Sequence, residues 1–285
     1  MADKTVMMER LIAKNYGCLQ DVDVKLTPLH AFIGPNDSGK STILRAVRVV
    51  EHIIQDGFST NGNSFVGPFA PGFSSFGQEH FVQGDFSGDI QLRVWASSNV
   101  RLNAILLKSN KGIFVGETLG RVIDAAKREN VDASAVSFLE KRRGATLVHL
   151  EPKALGKPGH LIPTGERLQL SGESGHGLAS IYDAIMSRNV ERFMEIQDQT
   201  RALFPTVRKI QLKTMSNYEK QLEIELQDES RIPVELVSEG LLIYLAFAAL
   251  PYLDPVSLIL VEEPENGLHP ARIRDVMRIL REISK

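Results

Sequence analysis

Alternation of apolar and polar residues divides the first part of the chain into short strand-like segments. Residues 8–14 and 21–26 alternate, with a bend at residues 15–18, and the largely apolar run 29–33 predicts a short buried strand. Further alternating runs at 80–86, 89–96, 102–108 and 113–117 are separated by turn residues. They predict an antiparallel meander.

Apolar residues at helical spacing predict helices in most of the remaining chain. These helices run from Lys40 to about Gln55 and over residues 119–128, 133–141, 178–187, 190–203, 241–250 and 272–283. Residues 207–214 and 221–227 alternate instead and predict a second hairpin. Segments 57–78 and 152–174, rich in Gly and Pro, are predicted loops or insertions, and any domain boundary would lie in the second.

Composition indicates the general class of protein but does not identify its fold. The 285 residues are 43% hydrophobic and 24% charged, as in ordinary globular chains, and contain no apolar run long enough to span a bilayer. Lys plus Arg (33) nearly balance Asp plus Glu (35), so nucleic-acid contact would require a local patch. With no secretory signal and a single cysteine, Cys18, we expect a cytoplasmic protein with no membrane contact.

A glycine-rich segment between the run 29–33 and the next helix matches G-x-x-x-x-G-K-[ST]. Such a loop presents backbone N–H groups and a helix N-terminus to phosphate oxygens, while Lys40 reaches the outer phosphates and Ser41 offers a hydroxyl to Mg²⁺. A glycine turn that merely precedes Lys-Ser is disfavoured, because strand, loop and helix follow in the required order. The candidate nucleotide-binding residues are Gly34, Asn36, Asp37, Ser38, Gly39, Lys40, Ser41 and Thr42.

A second candidate site follows the aliphatic run 258–261, which ends in Glu262 and Glu263. This pattern is typical of a buried parallel strand whose carboxyl end faces a ligand. Glu262 would hold Mg²⁺ directly or through water, and Glu263 would polarise the water that attacks the γ-phosphate. The alternative is a strand that ends at an acidic turn.

Ser238 and Gly240 open the apolar helix 241–250. A serine at this position is an N-cap worth about 1 kcal/mol, but a helix N-terminus with Ser and Gly is equally an anion site. The residues alone leave both interpretations open.

Several other residues keep two interpretations each. Tyr16 could contact a nucleotide base or only pack, and Gln78 and Gln83 could sense the metal and γ-phosphate or only be solvated. The basic residues 141–143 could contact phosphate or form a solvated helix end. Of these residues, Gln83 is considered a candidate metal ligand.

Three motifs, at 34–41, 238–240 and 258–270, occur in an order that resembles the ABC-type ATPases of the SMC/RecF branch. The resemblance is greatest to the AAA-family ATPase domains related to OLD nucleases, whereas residues 57–205 match only loosely. It implies an α/β P-loop NTPase fold: one ABC-type head over 1–285 with a central mixed sheet, an antiparallel β lobe and a helical lobe. The lobes would span about 1–118, 119–205 and 206–285.

The resemblance also implies roles for individual residues. Ser238 and Gly240 match the signature motif, which contacts the γ-phosphate on the opposite subunit of a head-to-tail dimer. Glu262 stands at the Walker B position, where the family more often has Asp, and Glu263 matches the catalytic glutamate. Residues 266–269 match the D-loop.

Two departures from the family pattern concern the carboxyl end. The family's switch histidine lies on a strand after the next helix, and OLD nucleases continue into a Toprim domain, whereas this sequence stops at Lys285. We expect a truncated chain, or one whose missing strand comes from a partner, and His269 is therefore not simply assigned the switch role. A coiled-coil arm is not expected, because no long heptad repeat occurs.

The sequence therefore predicts an ATPase with ATP and Mg²⁺ as ligands and with Lys40 and Glu263 as catalytic residues. Its nucleotide-sandwich homodimer, or a higher oligomer, would control a nuclease or other effector, with DNA as a candidate partner. One alternative is an ATP-gated clamp or sensor that hydrolyses little. A transporter-type subunit is disfavoured by Glu-Glu-Pro-Glu-Asn in place of a transporter-like Asp-Glu-Pro-Thr-Ser.

Overall fold

A computed structural model describes residues 8–59, 90–96, 100–109, 112–115 and 144–285, with side chains described for 8–51 and 144–285. The helices are α1 Lys40–Ser59, α2 Pro152–Leu155, α3 Leu178–Arg188, α4 Val190–Leu203, α5 Glu239–Ala249 and α6 Pro270–Ile283. The strands are β1 Met8–Tyr16, β2 Leu19–Lys25, β3 Ile90–Ala96, β4 Val100–Ser109, β5 Gly112–Val115, β6 Ala145–Val148, β7 Gly159–His160, β8 Val207–Thr214, β9 Glu219–Leu226, β10 Arg231–Pro233 and β11 Leu258–Val261.

The chain forms two compact units. The first comprises Met1–Thr146 and Val256–Leu260, and the second Leu147–Pro255 and Val261–Lys285. Both β6 and β11 contain a point at which the chain passes from one unit to the other. The division of one head into three lobes stays a prediction.

The first unit is built on a five-stranded antiparallel sheet in the order β2-β1-β3-β4-β5. Strands β1 and β2 form the predicted hairpin, in which Asn15 and Gly17 have φ angles of 56° and 55° at the turn. Strands β3 to β5 continue the meander that the alternation predicts. The apolar face of α1, which includes Ala46 and Val50, is buried, and the helix packs against β1.

Two local expectations for the first unit are wrong. Residues 29–33 do not form a strand, and Ile33 is 95% exposed. An apolar run becomes a strand only when a neighbour supplies ladder hydrogen bonds, and this run has no strand partner among the described residues. Residues 57–59 of the predicted loop belong instead to α1, which continues to Ser59.

The second unit combines a four-stranded antiparallel sheet with helices. Strand β9 pairs with β8 on one side and with β10 and β7 on the other. Helices α3 and α4 pack against this sheet, and α5 lies in the core, with every residue from Leu241 to Ala249 buried. The burial of α5 agrees with its sequence, because a helix that is apolar on all faces is normally buried.

Strands β6 and β11 form a separate two-stranded sheet. The carbonyl of Gly144 accepts from the N–H groups of Ser257 and Leu258, and that of Val148 accepts from Glu262 at 2.9 Å. Residue numbers therefore increase in the same direction along both strands, so the pair is parallel, as predicted for the run 258–261.

Several predicted features lie outside the described residues. They are residues 60–78 of the predicted loop, the strand 80–86, the helices 119–128 and 133–141, Gln78, Gln83, and the basic residues 141–143. In the described part of the chain, no helix is both long enough and apolar enough to cross a membrane.

A buried hydrogen bond links two helices of the second unit. The hydroxyl of Tyr182 in α3 donates to the carbonyl of Leu245 in α5 at 3.0 Å, and both side chains are fully buried. Burial also raises the pKa of Tyr182 well above its usual value. The bond therefore ties α3 to the central helix α5.

Tyr182→Phe should lower the free energy of unfolding by about 1 kcal/mol, the net value of a typical buried hydrogen bond. Urea unfolding measures the change, and Tyr218→Phe is the control because Tyr218 is 72% exposed. An equal loss in both variants would contradict the role of the hydroxyl.

The pH dependence gives a second readout for the same variant. An unfolded tyrosine ionises near pH 10, whereas buried Tyr182 keeps its proton to higher pH, so the unfolded state gains stability as pH rises above about 10. Tyr182 therefore contributes fully below pH 10 and loses that contribution above it. The loss of stability above pH 10 should be less steep in Tyr182→Phe than in the wild type.

Candidate nucleotide-binding site

The phosphate loop turns directly into α1. The first helical hydrogen bond runs from Ile43 N to Gly39 O at 2.9 Å, and the first turn contains no acidic residue. Residues 34–38 are exposed. The positive end of the α1 dipole thus lies beside exposed loop residues, where an anion can approach it.

Backbone conformation explains why this loop needs glycine. Gly39 has a φ of 87°, and a Cβ at this position would lie 3.0 Å from Leu19 Cδ2 and 3.2 Å from Cys18 Sγ. Asp37 also adopts a left-handed conformation, with a φ of 63°. Any side chain at position 39 would therefore be strained and crowded against the β1–β2 turn.

Lys40 lies over the loop that precedes it. Its ammonium group donates to the carbonyls of Gly34 at 2.9 Å and Pro35 at 2.6 Å. An ammonium group carries three protons, and these two bonds use two of them. The charge is therefore held at the mouth of the loop, where phosphate oxygens would enter.

The two residues after Lys40 differ in their surroundings. Ser41 is half-buried at the start of α1, whereas the Thr42 hydroxyl accepts from Cys18 Sγ at 3.3 Å. The Thr42 side chain thus contacts the β1–β2 turn, and it remains a candidate nucleotide ligand only by prediction.

At the carboxyl end of β11, the Glu262 side chain is only 9% exposed. Its Oε1 atom has no hydrogen-bond partner among the described residues. Burial of a carboxylate oxygen without a partner is costly unless a cation or a donor satisfies it. Glu262 therefore fits the predicted role of holding a metal ion.

Glu263 is exposed and has a φ of 46°, a left-handed conformation that costs a residue with a side chain about 1–3 kcal/mol. Its carbonyl accepts from Asn266 N at 2.9 Å, which closes the turn after β11. The turn leaves Glu263 exposed while Glu262 is buried. Different roles for the two carboxylates are consistent with these surroundings.

The sequence did not identify His149, which follows β6 just as Glu262 follows β11. His149 Nδ1 lies 3.5 Å from Glu262 Oε2. The signal was a polar residue after the short apolar strand 145–148, but only pairing with β11 shows that its neighbour is Glu262.

Ser238 caps α5, since its hydroxyl accepts from Leu241 N at 3.4 Å. The start of this helix packs closely on the loop after Glu263: a Cβ on Gly240 would lie 3.1 Å from Gly267 O. Gly267 itself has a φ of 71°, and a Cβ there would lie 2.7 Å from Ile243 Cδ1. A side chain at position 240 would press against this contact, and at position 267 it would also strain the backbone, because of the positive φ.

His269 is a local cap rather than a free side chain, because its Nδ1 accepts from Ala271 N at 3.3 Å at the start of α6.

The predicted site residues are divided between the two units. The phosphate loop belongs to the first unit, and Ser238, Gly240, Glu262 and Glu263 belong to the second. Convergence of Lys40 and Glu262 around one nucleotide therefore stays a prediction.

Within the described ranges, no group of three or more His, Cys, Asp or Glu side chains could hold a metal ion by itself. Mg²⁺ at nucleotide sites is usually bound through one or two carboxylates together with phosphate oxygens and water. Ser41 and Glu262 are the described residues predicted to contribute.

Comparison with known proteins gives a short match to a curated relative and likenesses to many solved structures. A segment of 44 residues is 54% identical to an OLD nuclease from Thermus scotoductus (strain ATCC 700910 / SA-01), covering 15% of this chain and 8% of that protein. One similar structure is an Smc head bound to the C-terminal winged-helix domain of ScpA, with 15% identity over 98% of this chain and 87% of that chain and a TM-score of 0.49. Another is RecF with ATP, with 12% identity over 98% of this chain and 91% of that chain and a TM-score of 0.44. A third is an Smc head of Pyrococcus furiosus with an extended coiled coil, with 12% identity over 98% of this chain and 87% of that chain and a TM-score of 0.41.

Two family models together match nearly the whole chain. One, described as "AAA ATPase domain", matches residues 7–134, and the other, described as "AAA domain, putative AbiEii toxin, Type IV TA system", matches residues 130–285. These matches and the OLD relative confirm the predicted OLD-like ATPase resemblance and the α/β P-loop ATPase fold. Because the second model matches more than half of the sequence, the chain belongs to this family of AAA domains.

Proposed function

We propose that this chain binds ATP with Mg²⁺ and hydrolyses it, and that the reaction opens and closes a head-to-tail dimer controlling a nuclease or DNA-processing partner. The observation that carries the proposal is the phosphate loop, whose residues 34–38 are exposed and in which Lys40, at the start of α1, donates to the carbonyls of Gly34 and Pro35. Family membership supports the ATPase part.

Different residues of this chain would bind the phosphates, hold the metal ion and orient the attacking water. The loop N–H groups and Lys40 would hold the phosphates and stabilise the negative charge of the transition state. Ser41 and Glu262 would hold Mg²⁺, which would supply positive charge to offset that of the phosphates. Glu263, exposed at the turn after β11, would orient the attacking water.

The dimer part of the proposal rests on the start of α5. Ser238 is exposed and Gly240 is half-buried, so the helix N-terminus is accessible to a second copy of the chain. Leu236, two residues before Ser238, is also 72% exposed. A phosphate bound by one copy could contact this N-terminus in the other.

A second candidate function is an ATP-gated clamp or sensor with little hydrolysis. Such a module needs the phosphate loop and the exposed start of α5 at Ser238 for binding and assembly, but it does not need Glu263 to act on water. The two functions share ATP binding and differ in turnover.

Lys40→Ala should weaken ATP binding about tenfold to a hundredfold, because it removes a charge-assisted contact to phosphate. Titration with a fluorescent ATP analogue measures the dissociation constant. Lys14→Ala is the control, since Lys14 pairs with Asp21 at 2.9 Å on the surface of the same unit. If the Lys40 variant and the wild type bind the ATP analogue with equal affinity, the phosphate loop does not contribute to nucleotide binding.

Glu263→Gln should retain ATP binding but lower the rate of phosphate release about 10²-fold to 10⁴-fold, the usual contribution of a general base. Light scattering after size exclusion should show a lasting ATP-dependent dimer. The matched control is Glu265→Gln, two residues further along the same exposed turn. Unchanged turnover in Glu263→Gln would exclude Glu263 from catalysis and favour the clamp or sensor.

Ser238→Arg, introduced into the Glu263→Gln background, should abolish the ATP-dependent dimer without abolishing ATP binding by each copy. Because this change also removes a helix cap, Asn189→Arg is the control: Asn189 caps α4 of the same unit by accepting from Arg192 N at 3.2 Å. A dimer that survives Ser238→Arg would show that the start of α5 does not face the second nucleotide.

A further inference from the structure

Two buried polar atoms at the ends of β6 and β11 lack a hydrogen-bond partner in the described part of the chain. They are His149 Nδ1 and Glu262 Oε1. The other oxygen of Glu262, Oε2, lies 3.5 Å from His149 Nδ1. The histidine and the carboxylate are therefore neighbours, with one unsatisfied atom on each.

The backbone holds these two residues side by side. Glu262 N donates to Val148 O at 2.9 Å, and His149 N donates to Glu173 O at 2.8 Å. The first bond fixes Glu262 against the end of β6, and the second ties His149 to the segment before α3. Only the side chains have freedom to adjust their separation.

A small movement would convert the contact into a hydrogen bond. An N–H···O bond measures about 2.7–3.2 Å, so a shift of a few tenths of an ångström in either side chain suffices. The imidazole is 37% exposed and the carboxylate 9%. Among the described residues, His149 is also the only basic group within ion-pair distance of Glu262.

We propose that His149 is a positioning residue for the metal ligand Glu262. Its Nδ1–H donates to Oε2, which fixes the carboxylate and leaves Oε1 for Mg²⁺ or a water bound to it. The inference rests on the proposed function, since it assigns a partner to the Walker B carboxylate.

The chemistry of the two groups decides which one contacts the metal. Mg²⁺ prefers oxygen ligands, so the carboxylate is the ligand and the imidazole lies behind it. The arrangement also gives a reason for Glu at position 262. The carboxylate of Asp would be one methylene shorter and would end further from His149.

The test measures metal binding apart from turnover, using Mn²⁺ detected by electron paramagnetic resonance with the full chain and a non-hydrolysable ATP analogue. His149→Ala should weaken Mn²⁺ binding about tenfold or more, as is usual when the partner of a metal ligand is removed. Affinity for the analogue without metal should stay unchanged. His149→Asn should restore most of the Mn²⁺ affinity, because its amide can donate from near the position of Nδ1.

Glu262→Asp supplies an independent check, because the shorter side chain already breaks the contact. In this background His149→Ala should have little further effect on Mn²⁺ binding. The matched control is His160→Ala: His160 also lies beside a glutamate, 3.8 Å from Glu219, but its side chain is 81% exposed. This variant should bind Mn²⁺ as the wild type does.

Two outcomes would overturn the inference while the proposed function stands. One is a Mn²⁺ affinity of His149→Ala within about twofold of the wild type, well below the effect expected for such a partner. The other is a His149→Asn variant that melts at the wild-type temperature yet binds Mn²⁺ no better than His149→Ala. If Glu262→Gln binds Mn²⁺ with wild-type affinity, Glu262 is not a metal ligand. The metal part of the proposed function would then fail together with the inference.

Discussion

Parallel pairing of β6 with β11 is the constraint on which the acidic part of the site depends. The bond from Glu262 N to Val148 O fixes the ends of two strands that are more than a hundred residues apart in sequence. Because both strands run in the same direction, the residues that follow them emerge at the same edge. A histidine and a glutamate thereby become neighbours, and the carboxylate is buried with one oxygen still unsatisfied.

Each unit contains one helix N-terminus that is predicted to bind phosphate. In the first unit α1 begins at Lys40 behind a loop whose glycine conformation no other residue would adopt easily. In the second unit α5 begins behind Ser238, whose hydroxyl already caps the helix. Each terminus combines unsatisfied N–H groups with the positive end of a helix dipole, so both suit an anionic ligand.

The packing of α5 links its N-terminus to the turn that carries Glu263. Gly240 and Gly267 allow the helix and the loop after β11 to approach closely, and the rest of the helix is buried. A displacement of one element would therefore be resisted by the other, because packed interiors leave few voids to absorb it. This contact lies within the second unit and connects the start of α5, predicted to be the signature motif, with the turn that carries Glu263, the predicted catalytic residue.

Local chemistry in the sequence determined the phosphate loop, the cap at Ser238, the hairpins, the longer helices α3 to α6 of the second unit and the acidic end of β11. Each depends on residues close together in the chain, whose periodicity and turn preferences act locally. Tertiary structure decided the rest. Residues 29–33 are apolar enough for a strand, but they lack a ladder partner among the described residues, and His149 acquires its neighbour only when β6 pairs with β11. Strand pairing and side-chain proximity depend on contacts between distant segments, which the pattern of one segment cannot specify.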